Sequence, residues 1–157
     1  MPDPIKKLYP LPSFCFKVEI NTMVKLDSAA SAYFRSVSGL RSETEILPVK
    51  EGGVNHTQWQ LYNGTKWSNL VLKRGFSGSP EFMQWRDGWI SGRSRERASV
   101  TIHQLDSAMN SLVSWSFQRA WPVKWELSEF DASKSEISIE TLELAHDGIL
   151  VLNPSLE

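Results

Sequence analysis

The chain has 157 residues, 41% of them apolar, with 17 basic and 18 acidic residues and a formal net charge of -1. That is the length of one domain with an ordinary core, and the balanced charge argues against a nucleic-acid surface, which needs a basic excess on one face. No run approaches the ~18 apolar residues of a membrane-spanning helix, and the lone Cys15 excludes an intrachain disulfide framework.

The opening Met1-Pro2-Asp3-Pro4 lacks a hydrophobic signal core, so synthesis in a cytoplasm is expected. Residues 1–12 hold four of the eight prolines and read as an extended arm that cannot be helical. Phe14, Phe16, Val18 and Ile20 then alternate with mixed residues at strand period. A second strand is expected over Tyr33–Leu40, with Gly39 at a bend, and a third over Glu43–Val49, where Pro48 marks an edge or an end. Glu51 to Lys66 is polar, carries Gly52-Gly53 and Asn63-Gly64, and reads as a long loop or irregular hairpin. A fourth strand covers Asn69–Gly75.

One helix follows. Ser79 is placed as its N-cap, Pro80 at the first helical position and Glu81 in the first turn. Phe82, Trp85, Trp89 and Ile90 form one apolar stripe, and Gly92 is the stop. Strand period returns at Ala98, Val100 and Ile102, opposed by Arg97, Ser99, Thr101 and His103. After a turn over Asp106–Asn110, two further strands are expected over Val113–Phe117 and Val123–Leu127. Ile137, Ile139 and Thr141 are placed on the apolar face of a last strand, with Glu136, Ser138 and Glu140 on its polar face. The sum is a mainly β domain over residues 13–152, a β-sandwich or partly open barrel with one flanking α-helix, followed by a short tail over 153–157. Such a sheet leaves edges that closure with other copies would remove. If the strand around Val100 pairs between subunits, a proline there should block assembly.

The chemistry-bearing residues do not assemble a site. His56, His103 and His146 lack zinc spacing, and one cysteine cannot complete a ligand set. Gly75-Phe76-Ser77-Gly78-Ser79 fails the nucleophile-elbow pattern. No phosphate or dinucleotide fingerprint occurs. No catalytic, cofactor-binding or metal-ligating residue is therefore expected, and the chain is expected not to be an enzyme. The seven tryptophans leave two readings, core residues or a sugar-binding platform. Trp85, Trp89, Trp115 and Trp125 sit at core spacing. Trp59 and Trp67 lie in the polar region and suit contact with a partner.

Five blocks in order carry a family resemblance. They are Pro12–Ile20, the Val37-Ser38-Gly39-Leu40 turn, the segment ending Glu51-Gly52-Gly53, Asn69–Gly75 with its Leu72-Lys73-Arg74-Gly75 ending, and Ser135–Gly148 after Val123-Lys124-Trp125. Together they resemble the tail tube proteins of T-even-type contractile phages and the inner tube proteins of bacterial contractile injection systems. The resemblance implies hexameric rings with a β-barrel lumen, stacked into a hollow tube inside a sheath for delivery of cargo through a target membrane. It implies as partners further copies of the chain, a sheath protein, baseplate or hub and tube-terminating proteins, and effector cargo. The type VI secretion tube protein shares the implied fold. Arg97, Ser99, Thr101, His103, Glu136, Ser138 and Glu140 become candidates for the lumen face. Glu51, Gly52, Gly53, Asn55, Trp59 and Trp67 become candidates for contacts between subunits or rings. A longer connection over Val24–Ala32 and the Leu47-Pro48-Val49 segment depart from the family pattern and leave a baseplate-proximal tube initiator as the alternative role. A tryptophan-rich carbohydrate-binding module is the third reading.

Overall fold

The computed structural model describes residues 15–22, 31–53, 56–134 and 136–152, and the account below concerns these. The expected arm over 1–12, Phe14, the Val24–Ala30 connection and the 153–157 tail lie outside them. Among the described residues the chain order is β1 (Cys15–Asn21), β2 (Ser31–Phe34), β3 (Ser36–Ser38), β4 (Ser42–Val49), β5 (Trp59–Trp67), β6 (Leu70–Gly75), α1 (Glu81–Ser91), β7 (Ala98–Leu105), β8 (Ser111–Leu127), β9 (Ile139–Ala145) and β10 (Ile149–Leu152).

Neighbouring strands follow the order β2-β1-β7-β8-β9-β6-β3, with β10 also beside β8. The path starts and ends on one stretch of chain. β2 pairs with β1, β3 pairs with β6, and the intervening Arg35 donates its backbone N–H to the Lys73 carbonyl at 2.9 Å. The two ends of the sheet thus lie side by side on one stretch of chain while the sheet itself stays open, the expected partly open barrel. The other corner is β8. Its first half runs beside β7 as far as Ala120, and from Trp121 it runs beside β9. Arg119 at the turning point has φ 52°, and the register slips between Pro122 and Lys124. Sequence periodicity reads this as two strands, Val113–Phe117 and Val123–Leu127. A proline without an N–H is tolerated inside one long strand where a bulge interrupts the ladder.

Between the two layers lie Val18, Ile20, Phe34, Leu70, Leu72, Val100, Ile102, Phe117, Ala120, Leu142 and Leu144, all buried. The helix closes this core with Phe82 and Trp85. Trp89, Trp115 and Trp125 pack against the cluster, so the four tryptophans at core spacing are core residues. The helix begins later than expected. Pro80 rather than Ser79 is the N-cap, with no side-chain capping bond, and Gln84 N–H bonds its carbonyl at 2.9 Å. Ile90 faces solvent at 64% exposure, because the stripe turns with the helix away from the core. Gly92 ends the helix in the left-handed conformation as expected, with φ 74°.

The last strand corrects the sequence reading. β9 buries Glu140, Leu142 and Leu144, not Ile139 and Thr141, and Ile137 is 76% exposed. Glu140 is 1% exposed and fully partnered: Arg74 Nε donates to its Oε2 at 2.8 Å and Trp125 Nε1 donates to its Oε1 at 2.8 Å. The leucines decide the parity, and the Arg74 and Trp125 donors make an inward carboxylate tolerable. Arg74 in turn lies with its Cζ 4.3 Å from the Phe82 ring centre, joining sheet to helix.

Val100 pairs with Ile20 on one side and with Phe117 on the other. Both of its edges are used inside the subunit, so a proline at Val100 tests the subunit's own fold and not ring closure. A sharper backbone test lies at Gly39, whose φ is 94° and where an added Cβ would fall 1.9 Å from the Asn69 carbonyl oxygen. Gly39→Ala is expected to destabilise by at least about 1–3 kcal/mol, from left-handed strain with the clash in addition. A denaturant midpoint equal to that of wild type would refute it.

Candidate assembly surface

β4 and β5 form a separate two-stranded sheet. The sequence shows its first strand but hides the second inside the polar Glu51–Lys66 stretch. Asn63-Gly64 signals a turn, yet it forms a bulge. The register moves between Thr44/Ile46 on β4, two residues of β5, Asn63 and Gly64, oppose the single Glu45 of β4, and Gly64 takes φ 96°. The described residues between the two strands are 50–53, with a turn at Gly52-Gly53, and 56–58. Thus Glu51, Gly52 and Gly53 sit at the tip of an arm, Trp59 and Trp67 at the two ends of β5, and Asn55 lies outside the described residues.

This arm is apolar on both faces. Paired residues share a face and successive residues alternate. One face therefore carries Leu47 with Leu61 and Val49 with Trp59, and the other carries Ile46 with Tyr62. All six are exposed, Trp59 at 56% and Tyr62 at 72%. A two-stranded hairpin with neither face covered is marginal by itself. Near its root, Thr44, Thr65 and Tyr62 share hydroxyl contacts, and Lys66 forms an ion pair with Glu45. The Glu45 hydrogen bond and charge hold the Lys66 ammonium above its ordinary range.

The second surface is the outer face of β1, β7 and β8. Thr101 lies beside Glu19 and Ser116, and His103 beside Lys17 and Ser114. His103 Nδ1 is 2.6 Å from Ser114 Oγ, its Nε2 is 3.4 Å from Glu19 Oε2, and Lys17 Nζ is 3.3 Å from Glu19 Oε1. Burial pushes the Glu19 carboxyl up, but hydrogen bonds and charge from His103 and Lys17 outweigh it, and the net shift is downward from 4.5. A depressed carboxyl adds stability that is present above its unfolded value and is lost as pH falls through the folded one. Glu19→Gln should therefore flatten the fall of stability with acid just below pH 4.5, read from denaturant midpoints across pH. An unchanged slope would refute the coupling.

Of the residues expected on a wet face, the structure brings Ser99, Thr101 and His103 together on β7. Arg97 precedes the strand and turns aside, donating to the Arg119 carbonyl at 3.3 Å and lying 3.9 Å from Asp147. Glu136 and Ser138 lie before β9, lining a cleft of about 430 Å³ with Phe130 and Ile137. Glu140 is inside the core. Lys17, Glu19 and Ser114 are the residues that sequence reasoning missed. Strand parity in β1 places Lys17 and Glu19 opposite the Val18 and Ile20 face, but which strand lies beside β7 cannot be read from parity. Among the described residues no group of three or more His, Cys, Asp or Glu could hold a metal ion.

One chain in the cryo-EM structure of the anti-feeding prophage baseplate superposes with a TM-score of 0.78 at 28% identity, over 93% of this chain and 97% of that one. A chain of the sheath–tube complex of an extracellular contractile injection system, in the extended state, gives 0.78 at 24% identity, over 93% of each. Hcp1 from Flavobacterium johnsoniae shares the fold at 0.53 and 15% identity, over 90% of this chain and 97% of that one. No curated protein sequence is significantly similar to the chain. Residues 12–150 match the family described as T4-like virus tail tube protein gp19, and the chain belongs to that family.

Proposed function

We propose that the chain is the inner-tube subunit of a contractile injection particle or phage tail. Copies close side by side into hexameric rings, and rings stack into a hollow tube inside a sheath, from baseplate to terminating cap. The particle, assembled in the cytoplasm, delivers cargo through a target membrane. The observation that carries this reading is the arm. A hairpin with six exposed apolar side chains on both faces is what stacking or neighbour contacts would cover. Ring closure falls to strand edges. Within the described residues β10 pairs only with β8, and β8 beyond Trp121 has no strand on the side away from β9. The Ser99, Thr101 and His103 face, with Lys17 and Glu19 beside it, suits a water-filled lumen. The channel wall is then polar and of mixed charge, which lets cargo pass without sticking.

A structural subunit has no need of a catalytic group, and the Ser114–His103–Glu19 contact fits that reading. Ser114 is 7% exposed and sits in mid-strand, paired with His103 on one side and Leu152 on the other. Its neighbouring backbone N–H groups are therefore turned into the ladder and cannot form an oxyanion hole.

The baseplate-proximal initiator is the second reading, favoured by the 28% identity to a chain of a baseplate structure. Negative-stain electron microscopy across a concentration series separates the two. Stacked tubes support the main tube subunit, and single rings that never stack support the initiator. Dispersed subunits at every concentration would count against both.

A further inference from the structure

The arm meets the body at a built joint centred on His146, in the break between β9 and β10. The ring stands edge-on to Phe117, a fully buried core residue, with centroids 4.9 Å apart at 78°. Its other side meets Trp67, the last residue of β5, at 6.3 Å. His146 Nε2 donates to the carbonyl of Ser68, the first residue after the arm, at 2.9 Å. A carbonyl can only accept, so Nε2 carries the hydrogen. Nδ1 is buried without a hydrogen-bond partner among the described residues. The ring is thus seated between core and arm and gives its Nε2 hydrogen to the arm.

Other contacts keep the arm's two legs together and tie them to the sheet. Ser68 N–H bonds the Arg41 carbonyl at 3.1 Å, and Asn69 Nδ2 donates to Glu143 Oε1 at 2.9 Å. His146 touches the core at Phe117, the end of β5 at Trp67 and the chain leaving it at Ser68. Gly148 lies against the same Trp67 ring, at ordinary contact distance even for an added Cβ.

We infer that His146 is the positioning residue of the arm, a pin that fixes the angle at which β4–β5 projects toward a second copy of the chain. An arm free to swing would lose conformational entropy on docking, whereas a pinned arm has already been ordered during folding. The inference rests on the reading of β4–β5 as a docking element, and the test keeps the two apart.

In a Cys15→Ser background, spin labels at Glu51→Cys on the arm tip and Lys124→Cys on the body report arm angle in dispersed full-length subunits. Wild type should give one narrow distance distribution. His146→Phe keeps the ring but loses the donor. It should broaden the distribution and raise the undocked population about fivefold, the equilibrium equivalent of one net hydrogen bond. His146→Gln, which keeps a donor at the Nε2 position, should lie nearer to wild type. Assembly by His146→Phe, scored by electron microscopy, should fall in parallel.

A broad distribution in wild type, or one unchanged by His146→Phe, overturns the inference. Broadening with undiminished assembly keeps the pin and sinks the docking role of the arm instead. Should His146→Phe fail to fold, Trp67→Leu is measured with His146→Gln, and an unchanged distribution in both overturns the pin.

Discussion

Replacing Glu140 with alanine is expected to cost the subunit about 3–5 kcal/mol, or roughly 10 °C in Tm for a chain of this size. The carboxylate is 1% exposed, and it accepts from both Arg74 and Trp125 at 2.8 Å. Removing it strands a guanidinium whose side chain is only 11% exposed and whose Nη2 already lacks a partner among the described residues. It also strands the Trp125 indole N–H. The loss is thus set by the groups left behind more than by the pair's own attraction. Glu140→Leu with Arg74→Met removes both charges at similar volume and should recover most of the loss. Denaturant unfolding of dispersed subunits reads both variants. A Glu140→Ala midpoint within error of wild type would refute the buried-pair account.

Trp59→Ala combined with Leu61→Ser should do the opposite, abolishing higher assembly while leaving the subunit intact. Both side chains stand exposed on one face of the arm, so the folded monomer should change by no more than about 0.5 kcal/mol. At an interface, truncation of a buried aromatic anchor costs about 2 kcal/mol or more, and a stacked tube repeats that loss at every copy. Sedimentation velocity with thermal unfolding checks the pair of claims. Normal tubes from the double variant would show that the arm is not what holds copies together, and a large loss of Tm would show that the arm belongs to the subunit's own core.

The fold class and the core were legible in the chain because burial leaves a period. Val18 and Ile20 alternate, Val100 and Ile102 alternate, and Phe82 and Trp85 lie one helical turn apart, all buried as the pattern requires. Where one stretch mixes two rules, the pattern misled. Glu140 reads as surface because a carboxylate normally is, but the parity set by Leu142 and Leu144 turns it inward, where Arg74, in register at Arg74↔Glu140, and Trp125 partner it. β5 lies in a stretch that reads as a long loop or irregular hairpin, because Asn63-Gly64 mimics a turn and because its apolar residues face no core of their own. β10 is short and takes its place only by lying along β8.

The sequence by itself determined the family, the mainly β class, the helix stop at Gly92 and the separation of core from exposed tryptophans, because local periodicity and motif order carry these. The tertiary structure alone decided that the two ends of the sheet, β2 and β3, lie on one stretch of chain, that β4 and β5 pair as a hairpin with two apolar faces, and that His146 seats it against Phe117. Each depends on which distant segments become neighbours, and no local spacing records that pairing.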